Sequence, residues 1–265
     1  MALDFDNLVI DRPLRARMQD KSTGELWFVV DELKDATLTN GAEQVFMTGS
    51  AGTRIATLDR NKTTTLTFQN GLVSMSMMAT QTGSDRELAT ADKKIATPAF
   101  EIHEVKDNTI TLNQSPVDGS VQHVYVLQKD RSLGEKYTLN DASGATGKNF
   151  TIEGKVISLP SGSLAAGTKV AVSYQYEAES AIKVVNKGDT FAKKGIVILE
   201  ILLRDICDNN KKYYANLVIP NGAMSGQFDI NINGEGTVHA ATVEAMPDYC
   251  SIDKELFSWI IPDAA

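Results

Sequence analysis

Two cysteines, Cys207 and Cys250, and three histidines, His103, His123 and His239, are the thiols and imidazoles of this 265-residue chain. A structural or catalytic zinc needs such ligands in close pairs. No CxxC, HxH or HExxH pair occurs, and the five residues are far apart. The two thiols read as free, buried cysteines of a reducing compartment, although they are free to meet in space. Paired acids such as Asp4/Asp6 and Asp31/Glu32 do acid–base work only where a cleft raises one pKa, and here they read as solvated charge. Arg204-Asp205 followed by Cys207-Asp208 has no histidine in view to activate the thiol. It reads as a strand end passing into the turn Asp208-Asn209-Asn210-Lys211. Gly234-Glu235-Gly236 lacks the third glycine and the following helix of a dinucleotide fingerprint, and GxSxG and P-loop motifs are absent. These residue types therefore predict no catalytic residue, no metal and no cofactor.

What remains is charge and arginine. Lys and Arg number 26 against 34 Asp and Glu, a formal net charge of −8. That balance argues against a protein that grips phosphate backbones, since counterion release needs a basic face. It does not exclude one that nucleic acid slides past. Two basic clusters stand out: Arg12, Arg15 and Arg17, and Arg54 and Arg60 with Lys62. They suit contact with an acidic neighbouring subunit, ordinary surface charge, or, least well, nucleic acid, for which interleaved aromatics are missing. The subunit-interface candidates are Arg12, Arg15, Arg17, Phe46, Arg54, Ile55 and Arg60.

The elements that must position these residues are mostly strands. Glu25–Val30 is β-branched and aromatic after a turn. Gln44–Thr48 and Thr53–Leu58 flank the small-residue tip Gly49-Ser50-Ala51-Gly52 and read as a hairpin. Lys62–Gln69 alternates, with Thr63, Thr65, Thr67 and Gln69 on one face and Thr64, Leu66 and Phe68 on the other. Asp11–Arg17 shows neither period, as expected of an arm on a neighbouring subunit or of a chain tied across its own sheet. Leu72–Thr80 and Ser251–Trp259 read as helices. Ala181–Val185, Gly195–Asp205, Tyr213–Ile219 ended by Pro220, Phe228–Asn233 and Thr237–Met246 read as strands. The apolar run Gly195–Leu203 is far shorter than the ~20 residues of a membrane helix. The N-terminus has no basic or apolar region of a signal peptide.

Between residues 98 and 180 short strands and turns follow in quick succession: Glu101–Val105, Thr109–Asn113, Val121–Leu127, Phe150–Ile152, Lys155–Leu159 and Lys169–Glu177. Six strands at this spacing describe a small β-sandwich, or extra strands of one large sheet. Residues 1–97 alone leave a core unclosed, but joined to 181–265 they make a full sandwich with a flanking helix. The expected architecture is mainly β: a discontinuous sandwich of residues 1–97 and 181–265, interrupted by a smaller β domain at 98–180.

Gly52–Lys62 leading into Thr65–Leu72, then Arg204–Asp208, Tyr213–Pro220, Ser225–Phe228 and Glu244–Cys250, resemble structural proteins of tailed bacteriophages. Within that group the chain is most similar to the major tail, or tail tube, proteins. The resemblance spans both outer segments, and the insert resembles the Ig-like additions such proteins carry. It implies a non-enzymatic virion protein, assembled in the host cytoplasm, whose rings, usually hexameric, stack into a tube through N-terminal arms and a long hairpin. It further implies contact with other tail proteins, no membrane, and a lumen through which DNA passes unbound; an acidic wall suits this by repelling phosphate. Two other functions stay open at this point. One is a capsid-decoration or sheath-like virion protein. The other is a carbohydrate- or surface-binding β module using Tyr137, Tyr174 and Tyr176.

Overall fold

The structure is a computed structural model describing residues 7–140, 144–208, 211–232, 238–249 and 252–262. In chain order its elements are β1 (Leu8–Gln19), β2 (Leu26–Val30), β3 (Leu33–Thr48), β4 (Arg54–Asn70), α1 (Met75–Thr82), β5 (Glu87–Leu88), β6 (Ile95–Glu104), β7 (Thr109–Thr111) and β8 (His123–Leu127). They continue as β9 (Leu133–Leu139), β10 (Asn149–Glu153), β11 (Val156–Ser158), β12 (Lys169–Ala178), β13 (Ile182–Lys183), β14 (Lys194–Asp205), β15 (Lys212–Met224), β16 (His239–Ala245) and β17 (Ser258–Ile260). The chain divides into two compact units, Met1–Arg86 with Val184–Ala265, and Glu87–Lys183.

The first unit is one antiparallel sheet in the order β2-β1-β14-β15-β16-β4-β3, with β17 also paired to β15. Strands near opposite ends of that order share a core. Phe28 of β2 and Phe68 of β4 have ring centroids 6.4 Å apart, so the sheet curls over and packs on itself. Period-two alternation drives this: Thr64, Leu66, Phe68 and Asn70 of β4 point inward, as do Ala16 and Met18 of β1. Each buried Leu, Met or Phe side chain contributes about 1.5–3 kcal/mol.

α1 packs against this core through Met77. Ser74 caps its start, the hydroxyl accepting from the Met77 N–H at 3.2 Å. Gly83 ends it at φ 68°, where a Cβ would meet the Phe191 carbonyl oxygen at 1.9 Å. The cap lies after Leu72 and Val73, which is why the helix begins later than apolar spacing predicts. The second predicted helix, Ser251–Trp259, does not form. Ile252–Phe257 is irregular, and Ser258–Ile260 extends β15's ladder instead; Ser251 lies outside the described residues.

Two strand expectations also change. β15 runs through Pro220 to Met224, because Pro220 sits at a register shift between Val197/Ile219 and Gly195/Gly222. It also falls in the gap between β17 and β16, so no ladder bond needs its missing N–H. Of the expected strand Phe228–Asn233, only an isolated Ile230–His239 bridge forms, and Asn233 lies outside the described residues.

The second unit orders its main strands β6-β12-β8-β9-β10-β11-β7, with β5 and β13 as a separate pair. Its own core includes Val124, Tyr137, Phe150, Ile157, Val172 and Tyr174. β9 is the strand that periodicity misses: in Leu133-Gly134-Glu135-Lys136-Tyr137 only Tyr137 is buried.

Candidate assembly surface

β3 and β4 pair from Leu33/Asn70 to Thr48/Arg54, forming a hairpin far longer than the Gln44–Leu58 segment expected. Its root belongs to the sheet, where Leu38 packs on the core and Leu66 is within it. A hydrogen bond of 2.7 Å from Thr64 Oγ1 to Asn40 Oδ1 closes the root. Beyond Gly41/Thr63 the next pair is Glu43/Arg60, so Ala42 faces the two residues Asn61 and Lys62. This is a β-bulge: Asn61 takes φ 50°, and its Nδ2 donates to Glu43 Oε2 at 2.7 Å. An asparagine tolerates the left-handed region better than a branched residue would.

Past the bulge the strands stay paired but leave the core. Phe46, Met47, Ile55 and Leu58 are all exposed, Ile55 at 72%. Alternation assigns Val45, Met47 and Leu58 to one side and Phe46 to the other. The guanidinium carbon of Arg54 lies 3.7 Å from the Phe46 ring centroid, a cation–π stack that presents an aromatic and a charge together. Phe46, Arg54, Ile55 and Arg60 therefore share one projecting arm.

The other three candidates lie elsewhere. Asp11–Arg17 is no separate arm but part of β1, laddered to β14 throughout and flanked by β2 only from Ala16 onward. Two register shifts, at Ile10/Arg12 and Pro13/Arg15, erase the alternation that would have revealed the strand. Arg15 Nε lies 2.8 Å from Glu200 Oε2 and Arg17 also pairs with Glu200, while Arg12 is exposed beside them. These pairs form on the outer face of the sheet. There Thr37, Thr67 and Thr242 stand in one row across three strands and Thr39, Thr65 and Glu244 in the next. Neither row carries a lysine or arginine.

Between β1, β3, β14 and β15 lies a cavity of about 320 Å³, lined by Leu38, Leu66, Leu199, Ile201 and Leu217, with Ile10 and Trp259 exposed at its rim. Sequence reading gave no sign of it, since its lining comes from six strands. At α1 the fold is sealed by polar contacts instead. His239 is fully buried. Its Nδ1 accepts from the Ser74 N–H at 3.3 Å, and its Nε2 lies 2.8 Å from Gln81 Oε1. Gln81 Nε2 in turn donates to the Ala240 carbonyl at 2.9 Å. This pattern assigns the neutral tautomer with hydrogen on Nε2, and burial pushes the imidazole pKa down.

Among the described residues no group of three His, Cys, Asp or Glu is placed to hold a metal, and no helix is long and apolar enough to cross a membrane. Cys207 is free and exposed rather than buried, and Cys250 and Gly234-Glu235-Gly236 lie outside the described residues. In the second unit Glu101 gathers the Tyr174 hydroxyl (2.5 Å), the Asn113 N–H (3.1 Å) and His103 (2.5 Å). Burial raises the Glu101 pKa, but these bonds outweigh it and hold the carboxyl below its usual range. The same burial, with the Glu101 bond, pushes Tyr174 up to about 12. Tyr137 and Tyr174 are each 2% exposed, so neither offers a stacking platform to a sugar.

No curated protein matches the chain. The YomU/Tube protein family matches over residues 8–250, both units included. A chain matched over that span, with a curled β sheet and a projecting hairpin, belongs to the YomU/Tube protein family, a phage tail-tube type of structural protein.

Proposed function

We propose that copies of this chain associate in rings, hexameric by resemblance, that stack into a tail tube through which DNA passes. The observation that carries this reading is the outer half of the β3–β4 hairpin. Its strands stay laddered from Glu43/Arg60 to Thr48/Arg54 with only Ile55 skipped, yet it exposes Phe46, Met47, Ile55 and Leu58 away from any core of its own. A surface of that kind marks an interaction site. The interface residues are Phe46, Arg54, Ile55 and Arg60 on the arm, with Arg12, Arg15 and Arg17 on the outer face of β1. The net charge of −8 and the threonine rows without basic residues suit a wall that DNA slides past. The Glu87–Lys183 unit is an outward-facing Ig-like addition, dispensable for assembly. The protein is built into the virion tail, meets other tail proteins there, and is assembled in the host cytoplasm. Negative-stain microscopy of the purified chain should show rings or hollow tubes. A chain that stays monomeric at high concentration by sedimentation would overturn this reading.

A further inference from the structure

We infer that the apolar mouth of the first unit's core is the seat for the hairpin tip of a second copy, an inference that rests on the self-assembly reading above. The two ends of this core differ. One is closed by α1, with His239 and Gln81 making its polar contacts. The other is lined by Leu38, Leu66, Leu199, Ile201 and Leu217, and opens between Ile10, 59% exposed, and Trp259, 39% exposed.

The chain supplies a matching occupant but cannot use it on itself. From Leu38 and Leu66 at the mouth, β3 and β4 continue outward as a paired ladder to Thr48 and Arg54. Ten residues beyond Leu38, at about 3.4 Å each, carry the tip roughly 34 Å from its own mouth. The tip residues are accordingly exposed in the protomer. An apolar cavity of about 150 Å³ holds a benzene, so about 320 Å³ takes two groups of that size, such as the Phe46 ring and the Ile55 side chain. Charge agrees. Residues 41–63 carry Arg54, Arg60 and Lys62 against Glu43 and Asp59, a net of +1, which leaves −9 on the rest of the chain. A basic arm thus meets an acidic body. Trp259 at the rim is also a better cation–π partner for Arg54 than the Phe46 it now covers. Because knob and hole are different surfaces of one chain, the contact is heterologous and propagates into rings or filaments.

The test is disulfide trapping in a background with Cys207→Ser and Cys250→Ser. A chain with Ile10→Cys is mixed with a chain with Ile55→Cys, allowed to assemble, oxidised and run on a non-reducing gel. Both positions are exposed, so both variants fold. A two-chain band from the mixture, absent from either variant alone, is the expected result. A filling variant at Ala36, which also lines the cavity from β3, is Ala36→Trp; it should lower the assembled fraction at least tenfold while keeping the cooperative melting transition. Assembly with neither the cross-link nor the filling effect overturns the seat and leaves the tube reading standing. Failure of the cysteine-free parent to assemble overturns the tube reading, and the seat with it.

Discussion

The β3–β4 hairpin is one ladder with two fates. In its root, Leu66 and Phe68 are 1% exposed and help hold the sheet's two halves together. A few residues along the same strands, Phe46 and Ile55 have similar chemistry and touch no core. Pairing resumes beyond the bulge and runs on toward the tip, so the backbone ladder alone does not commit a strand to a fold. What differs is what lies opposite each face: a second layer in the root, solvent beyond the bulge. Apolar residues in the first half stabilise the protomer, and those in the second half are available to another molecule.

That contrast is most exposed to failure by removing the arm. Replacing residues 44–58 with a two-residue Asn-Gly turn should abolish assembly in negative stain while the urea midpoint stays where it was. A midpoint that collapses would show that the arm belongs to the protomer's fold. Next in size is a matched pair of truncations followed by urea unfolding. Phe68→Ala should cost about 3–5 kcal/mol, as buried aromatics do. Phe46→Ala should cost under about 1 kcal/mol, limited to its contact with Arg54. Equal losses would erase the distinction between root and arm.

Acid tests the opposite end. His239 has a depressed pKa in the fold, so the folded state binds fewer protons than the unfolded state. Its contribution is complete above the unfolded value near 6.5 and is lost as pH falls from there toward the folded pKa. One such group steepens the fall by at most about 1.4 kcal/mol per pH unit. His239→Asn keeps an acceptor for the Ser74 N–H and should remove that part of the slope in denaturant titrations from pH 7 to 5. An unchanged slope would mean that other groups set the acid response. The smallest effect belongs to β1. The Arg15 side chain is 53% exposed beside Glu200, so Arg15→Ala should change stability by no more than about 1 kcal/mol. If it nonetheless stops assembly with an unchanged melting temperature, the β1 arginines join the arm as interface.

Much of this fold was legible because alternation survives in single strands. Lys62–Gln69 reads correctly face by face, and Gly195–Asp205 appears as β14. Legibility fails where register shifts interrupt the period. Asp11–Arg17 has two and was unreadable as a strand; Pro220 sits at another and looked like a stop. Ser251–Trp259 read as a helix from local residues, but Trp259 is placed by pairing with Leu217, over forty residues away. The hairpin and its arginine were visible in sequence because turn chemistry is local. The mouth was invisible, since Ile10, Leu38, Leu199 and Trp259 meet only through the topology of the sheet.

The bulge at Asn61 has a consequence for how such an arm changes over time. On the root side of it, the odd-numbered residues of β4 face outward with Thr37 and Thr39. On the tip side, Arg60 and Leu58 pair with Glu43 and Val45, so the even-numbered residues take that side. One extra residue has switched the phase of β4. Deleting it would exchange what the two sides of that strand display while every remaining side chain kept its identity. If the arm is the contact proposed above, its choice of partner shifts through chain length alone, with its composition nearly unchanged.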